Sequence, residues 1–197
     1  MPMIDPAKIV EALEWAESRD ASAAELDALL ASVDTDALLW SIADRVVAYP
    51  AIMGAIYRRA TQGDLNRERA LGYLALSHAS MGDLESAVAL LGRLPEESHD
   101  EVVLSAWALL SPTASETIAR LNVGTHRLPH SLRLWRQLAN VALHEGFISD
   151  AQRAYLMFAK LETTAEQQAR IARILDERGW RAQEPREGRS HGTRSSP

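Results

Sequence analysis

The chain has 197 residues, a formal charge of −6 from 27 Asp+Glu against 21 Lys+Arg, and no cysteine. The missing thiols exclude disulfides, thiolate metal sites and cysteine nucleophiles, and the acidic balance is wrong for sequence-independent binding to nucleic acid, which draws its affinity from many phosphate-neutralising cations. Apolar residues make up 47% and charged residues 24%, the composition of one folded domain or one repeat array.

Strand signals are almost absent, with no alternating β-branched run and no Asn-Gly or Asp-Gly hairpin turn. Residues 1–20 carry Asp5, Glu11, Glu14 and Glu17 and no apolar h-region, so no signal peptide is expected there. Asp5 and Pro6 read as the cap and first-turn proline of a helix whose apolar stripe is Ile9, Leu13 and Ala16. Ser22, with Glu25 three residues on, reads as a capping box for a second helix. This pair, residues 1–33, is expected to be a cap or an interaction segment. Breaks follow at Tyr49-Pro50, Gly63-Asp64, Gly82-Asp83, Pro95, Ser111-Pro112, Pro129, Gly146 and Thr163. Ser111-Pro112, Ser131 and Ser149 read as further helix starts, and Thr164 with Gln167 opens a last amphipathic helix that Gly179 closes. Residues 164–180 fit a capping helix, and residues 181–197, with Ala182 as their one apolar side chain, are expected to be a disordered tail. The sum is an all-α chain of about eleven helices joined by short turns.

An internal repeat is the most informative feature. Leu39-x-x-Ile42-Ala43, Leu71-x-x-Leu74-Ala75, Leu104-x-x-Trp107-Ala108 and Trp135-x-x-Leu138-Ala139 start 32, 33 and 31 residues apart. A second alanine recurs at Ala55, Ala87, Ala119 and Ala151, and Pro50, Gly82, Ser111-Pro112 and Gly146 mark the turn between the two signatures. Small residues at fixed offsets are what close helix crossings need, with the larger apolar residues filling the space beside them. A unit of this size buries too little to fold alone, so neighbours must stack.

These residues resemble the tetratricopeptide repeat (TPR) family. The best match is 71–95, LGYLALSHASMGDLESAVALLGRLP, followed by 135–155, WRQLANVALHEGFISDAQRAY. The units around Leu104 and Leu39 are degenerate, with Ala119 one residue off register and Pro50 at a turn. The resemblance spans residues 34–163 as four units and implies a right-handed α-solenoid of antiparallel helix pairs. The alternative is a non-repeating helical bundle with accidental Leu/Ala spacing.

Chemistry-bearing motifs are missing. There is no G-x-G-x-x-G, G-x-x-x-x-G-K, G-x-S-x-G or H-E-x-x-H, and Lys8 and Lys160 are the only lysines. His126 and His130 are four apart, but Pro129 ends the helix between them and no third ligand is indicated. The carboxylates Asp34, Asp36, Glu96 and Glu97 fall at helix starts or turns, where they complement the helix dipole. No catalytic residue, metal or cofactor is therefore expected, and the chain is read as non-enzymatic. The longest apolar stretch, 102–110, is about half of the ~20 residues a bilayer needs, so no membrane insertion is expected and the reading is of a cytoplasmic protein.

The resemblance implies a concave surface lined by the first helix of each unit. Its residues would be Trp40 and Asp44, then Arg69, Gly72 and Leu76, then Ser105 and Leu109, then Arg133, Arg136, Gln137, Asn140 and His144. The middle is small and apolar and the last unit basic and polar. Such a groove suits a partner helix or peptide with an apolar face and an acidic end. The function implied is an adaptor or chaperone, similar in size to the TPR chaperones of bacterial secretion systems. The alternative is a structural or oligomerisation subunit that uses its array ends, Trp15 and Trp180, against copies of the same chain.

Overall fold

The computed structural model describes residues 5–33, 35–62, 66–95 and 97–180. The expected tail 181–197, the break at Gly63-Asp64 and the carboxylates Asp34 and Glu96 lie outside the described residues. Among the described residues the regular elements are eleven helices and no strand. They are α1 (Pro6–Glu17), α2 (Ala23–Leu30), α3 (Asp36–Val46), α4 (Pro50–Gln62), α5 (Arg67–Ser80), α6 (Leu84–Leu91), α7 (Glu101–Leu109), α8 (Ala114–Arg127), α9 (Leu132–His144), α10 (Ile148–Leu161) and α11 (Ala165–Glu177). None of them is long and apolar enough to cross a membrane.

Local chemistry sets the helix starts. Asp5 accepts a hydrogen bond from the Ala7 amide at 2.9 Å, with Pro6 in the first turn. Ser22 and Glu25 form the reciprocal capping box, the Ser22 amide donating to Glu25 at 2.9 Å. Two expected starts are displaced. α8 is capped by Thr113, which accepts from the Glu116 amide, rather than by Ser111-Pro112. α10 begins at Ile148, which leaves Ser149 inside the helix.

The reason for the second shift lies in the turn before it. Gly146 takes φ of +79° and the Phe147 amide bonds back to the Ala142 carbonyl at 2.8 Å. That closing motif needs a left-handed residue and reverses the chain at once, with no room for a serine cap. Gly82 repeats the arrangement in the turn between α5 and α6, with φ of +81° and the Asp83 amide bonded to the His78 carbonyl.

Packing is sequential. α1 rests on α2 and α3, α2 on α4, α4 on α5, α5 on α6 and α7, α7 on α8 and α9, α9 on α10, and α10 on α11. The core follows the same course in three clusters: one from α1 to α5, one around Leu71, Ala75, Leu91 and Val103, and one from Leu104 to Trp180. Arg58 ties the first pair to α4 through Asp27 at 2.9 Å, and Arg59 donates to the Val33 carbonyl at 2.7 Å. Seven of the eight repeated alanines, Ala43, Ala55, Ala75, Ala87, Ala108, Ala139 and Ala151, are fully buried. Ala119 is exposed, and its neighbours Ile118 and Leu121 point inward instead. In α8 the close approach is made by Gly124, where a Cβ would stand 3.3 Å from Leu134 and 3.7 Å from Leu104.

The end aromatics differ. Trp180 is buried beside Tyr155, with ring centroids 6.4 Å apart. Its amide bonds to the Leu175 carbonyl at 2.8 Å after Gly179, which turns the indole back onto the helices. It therefore packs within the chain and is not an open docking aromatic, as the oligomerisation alternative expects. Trp15 is 64% exposed.

Candidate functional site

Helices α3, α5, α7 and α9 bring polar and aromatic side chains to one surface. Arg133, in the first turn of α9, donates through Nη1 to Asp44 of α3 at 2.9 Å and to the Tyr73 hydroxyl of α5 at 3.1 Å. The Tyr73 hydroxyl donates to the same Asp44 oxygen. The guanidinium lies 5.2 Å from the Tyr73 ring centroid. Residues 89 apart in sequence thus share one hydrogen-bonded triad. Burial pushes the Tyr73 hydroxyl well above the usual phenol range, Arg133 opposes this, and the bond to Asp44 adds to it. Tyr73 therefore stays protonated and remains a donor.

Trp40 of α3 stacks on Tyr73 with centroids 6.2 Å apart and planes 17° from parallel. On its other flank the Arg69 guanidinium lies 5.8 Å from the indole centroid and pairs with buried Asp100 at 2.8 Å. Asp100 is held by Asn66 at 3.1 Å and by the amides of Val102 and Val103, which it caps. In α9, Gln137 donates to Ser105 of α7 at 2.7 Å. Arg133 Nε and Gln137 Oε1, one turn apart, are buried and without a hydrogen-bond partner, so this face holds polar atoms that α3–α9 alone leave unsatisfied.

Trp40, Asp44, Arg69 and Arg133 thus meet around Tyr73, and Gln137 and Ser105 form a separate pair one turn along α9, but not all of these are exposed lining. Trp40 and Ser105 are buried, Ser105 completely. Gly72 is buried in the α5–α7 crossing, where a Cβ would meet Val102 Cγ1 at 3.2 Å, so it offers no surface to a partner. This corrects the expectation for Gly72 and Ser105: the small side chains serve helix approach. Leu76 is half-buried against the core, Leu109 is 40% exposed at the end of α7, and His144 is exposed at the end of α9. Tyr73, at the centre of the triad, had no signal in the repeat offsets.

Arg136 and Asn140 belong to a second arrangement. They line a cleft with Tyr155 and Phe158 of α10 and Gln167, Arg170, Ile171 and Ile174 of α11. Asn140 accepts from the Tyr155 hydroxyl at 3.0 Å. At the α10–α11 joint Glu162 accepts from the Thr163 and Thr164 amides and the Thr164 hydroxyl, each at 2.9 Å. Thr164 itself makes no side-chain cap bond, contrary to expectation, and Glu162 instead holds the two amides that lead into α11. The bond from the Thr164 amide foremost, then its hydroxyl, hold the Glu162 carboxyl below the usual range; the Arg136 charge adds a smaller pull. A carboxyl depressed by folding stabilises above its unfolded value, and that stability is lost as pH falls. Glu162→Gln should lower the melting temperature at neutral pH, and the difference from the parent chain should shrink as pH falls below about 4.3, the ordinary carboxyl value, and close only in stronger acid. A difference unchanged in acid, read from melts across a pH series, would reject this cap.

Comparison of the chain with protein-family models, with curated proteins and with solved structures finds no match.

Proposed function

We propose that the chain is a non-enzymatic protein-interaction module, a TPR-like right-handed α-solenoid that works as an adaptor or chaperone. In this reading α3, α5, α7 and α9 are the first helices of four successive units and line a groove for a partner helix or peptide. The observation that carries it is the triad of Asp44, Tyr73 and Arg133, which draws side chains of three of those helices to a common face. The fully buried alanines spaced by the repeat support the same reading. The α3–α5 part of the face is filled by its own stacked aromatics, so in this reading a partner bears on α9 where the face runs into the cleft with α11, at exposed Arg136 and Asn140. Both present donors, which favours acidic groups on the partner.

Site-directed photocrosslinking tests this. A crosslinking amino acid at Arg136 or Asn140 should capture a discrete polypeptide in cells, and the same group at exposed Ala119 should not. Equal labelling from all three positions, or none from α9, would refute the groove.

A further inference from the structure

Of the eight large apolar side chains exposed among the described residues, five stand at the turns that follow α5, α7 and α9: Met81, Leu84, Leu109, Phe147 and Ile148. Turns are ordinarily built from polar residues with Gly and Pro, so local structure does not ask for this concentration. The three turns also share one edge of the molecule. From α5 to α7 the contacts advance together along both helices, from Glu68 with Ser98, through Arg69 with Asp100, to Gly72 against Val102 and Val103. From α7 to α9 they advance from Glu101 with Ser131 to Ser105 with Gln137. The three helices are therefore parallel and in step. Their last residues, Ser80, Leu109 and His144, come out side by side, level to within about one helical turn. At ~9 Å between neighbouring axes the three turns span ~20 Å, the length of about 13 residues of α-helix.

This edge carries one sign of charge. Residues 81–85, 109–113 and 144–149 hold Asp83, Glu85 and Glu145 and no Lys or Arg, and all three carboxylates are exposed. The arginines nearest in the chain are already engaged, Arg120 with Glu116 and Arg153 with Asp150.

We propose that this edge is a second docking surface, for a helical segment of another polypeptide with an apolar face bordered by Lys or Arg. The apolar face of that helix lies across Leu84, Leu109 and Ile148, and its cations meet Glu85 and Glu145. A second copy of this edge would set carboxylates against carboxylates, and an anionic lipid surface is repelled in the same way. The segment 181–197 has four arginines against two glutamates, but Ala182 is its one apolar side chain, so it cannot fill the apolar turns. The groove reading is separate: Arg136 and Asn140 lie two turns and one turn inside α9 from its end, so either surface can fail without the other.

The probe is a synthetic helix of about 14 residues, with leucine on one face and lysine on the other, beside a counterpart with glutamate for lysine. Fluorescence anisotropy of each labelled peptide against the full chain reads the binding. The lysine peptide should bind with a Kd on the order of 10 µM at low salt, and the glutamate peptide at least about tenfold more weakly. Leu84→Ser combined with Ile148→Ser changes two exposed residues, each the first of its helix, and should weaken the lysine peptide about tenfold. Val123→Ser, exposed well inside α8, should leave it unchanged. No binding of the lysine peptide, equal binding of both peptides, or equal affinity for parent and double variant would each overturn the proposal. Two further results would overturn it by giving the edge another occupant. One is a parent mass above the 21.7 kDa of one chain that the double variant returns to a single copy. The other is flotation with phosphatidylcholine vesicles that the double variant loses.

Discussion

Gly72→Leu should destabilise the chain by about 2 kcal/mol. Overpacking a tight contact costs up to ~3 kcal/mol, and the better helix propensity of leucine returns about 0.8. The contact is tight because backbone is involved: a Cβ on Gly72 would stand 3.3 Å from Val102 C and from Val103 N, besides 3.2 Å from Val102 Cγ1. Backbone cannot swing aside as a side-chain tip does, so α7 must move away from α5. Gly72→Ala needs a shift of only a few tenths of an ångström and should fall within about 1 kcal/mol of the parent, propensity offsetting strain. Urea denaturation of the two variants measures both. A leucine variant as stable as the parent would mean that α5 and α7 do not approach this closely.

Arg133→Glu should cost about 2 kcal/mol, less than a fully buried pair because the Asp44 side chain is 54% exposed. It places a carboxylate beside Asp44 and removes the cation from the Tyr73 ring. For a chain of this size that is a fall of about 6 °C in melting temperature. Adding Asp44→Arg restores opposite charges across the same gap and should recover about half of the loss, the coupling that a double-mutant cycle isolates. A double variant no better than the sum of its singles would show that Arg133 acts by packing on Tyr73 and not by its charge. The triad joins α3, α5 and α9, so its loss should also change how α9 is held relative to α3, and with it the placement of Arg136 and Asn140.

Much of this structure is legible in the residues because its causes are local. Asp5, Ser22 with Glu25, and Ser131 cap the helices they precede, since an N-cap needs only a side-chain oxygen and the next two or three amides. Gly82, Gly146 and Gly179 end helices because only glycine enters the left-handed region without strain. The recurring alanines go to buried positions because a methyl group is what a close helix contact admits. Where the recurrence slips, at Ala119, the small residue needed at the contact is Gly124, five positions on.

The functional face was legible only in part. The offsets that single out Trp40, Asp44, Arg69 and Arg133 treat every unit as identical, and these four do converge. The same offsets fail at Gly72 and Ser105, because the α5–α7 crossing buries the first and the Gln137 side chain covers the second. Tyr73, Phe158 and Arg170 carry no periodic mark, and Tyr155, a position of the repeat match, gave no sign of the cleft it lines.

The sequence by itself determined that the chain is all helix, where most helices start and stop, and which small residues are buried. These follow from backbone hydrogen bonding, capping and side-chain volume within a few residues. Only the tertiary structure decided that Arg133 reaches Asp44, that Trp180 folds inward while Trp15 stays exposed, and that Arg136 and Arg170 come together at one cleft between α9 and α11. Each of these depends on the rotation and spacing of helices distant in sequence, which many small packing contacts set together and no short motif encodes.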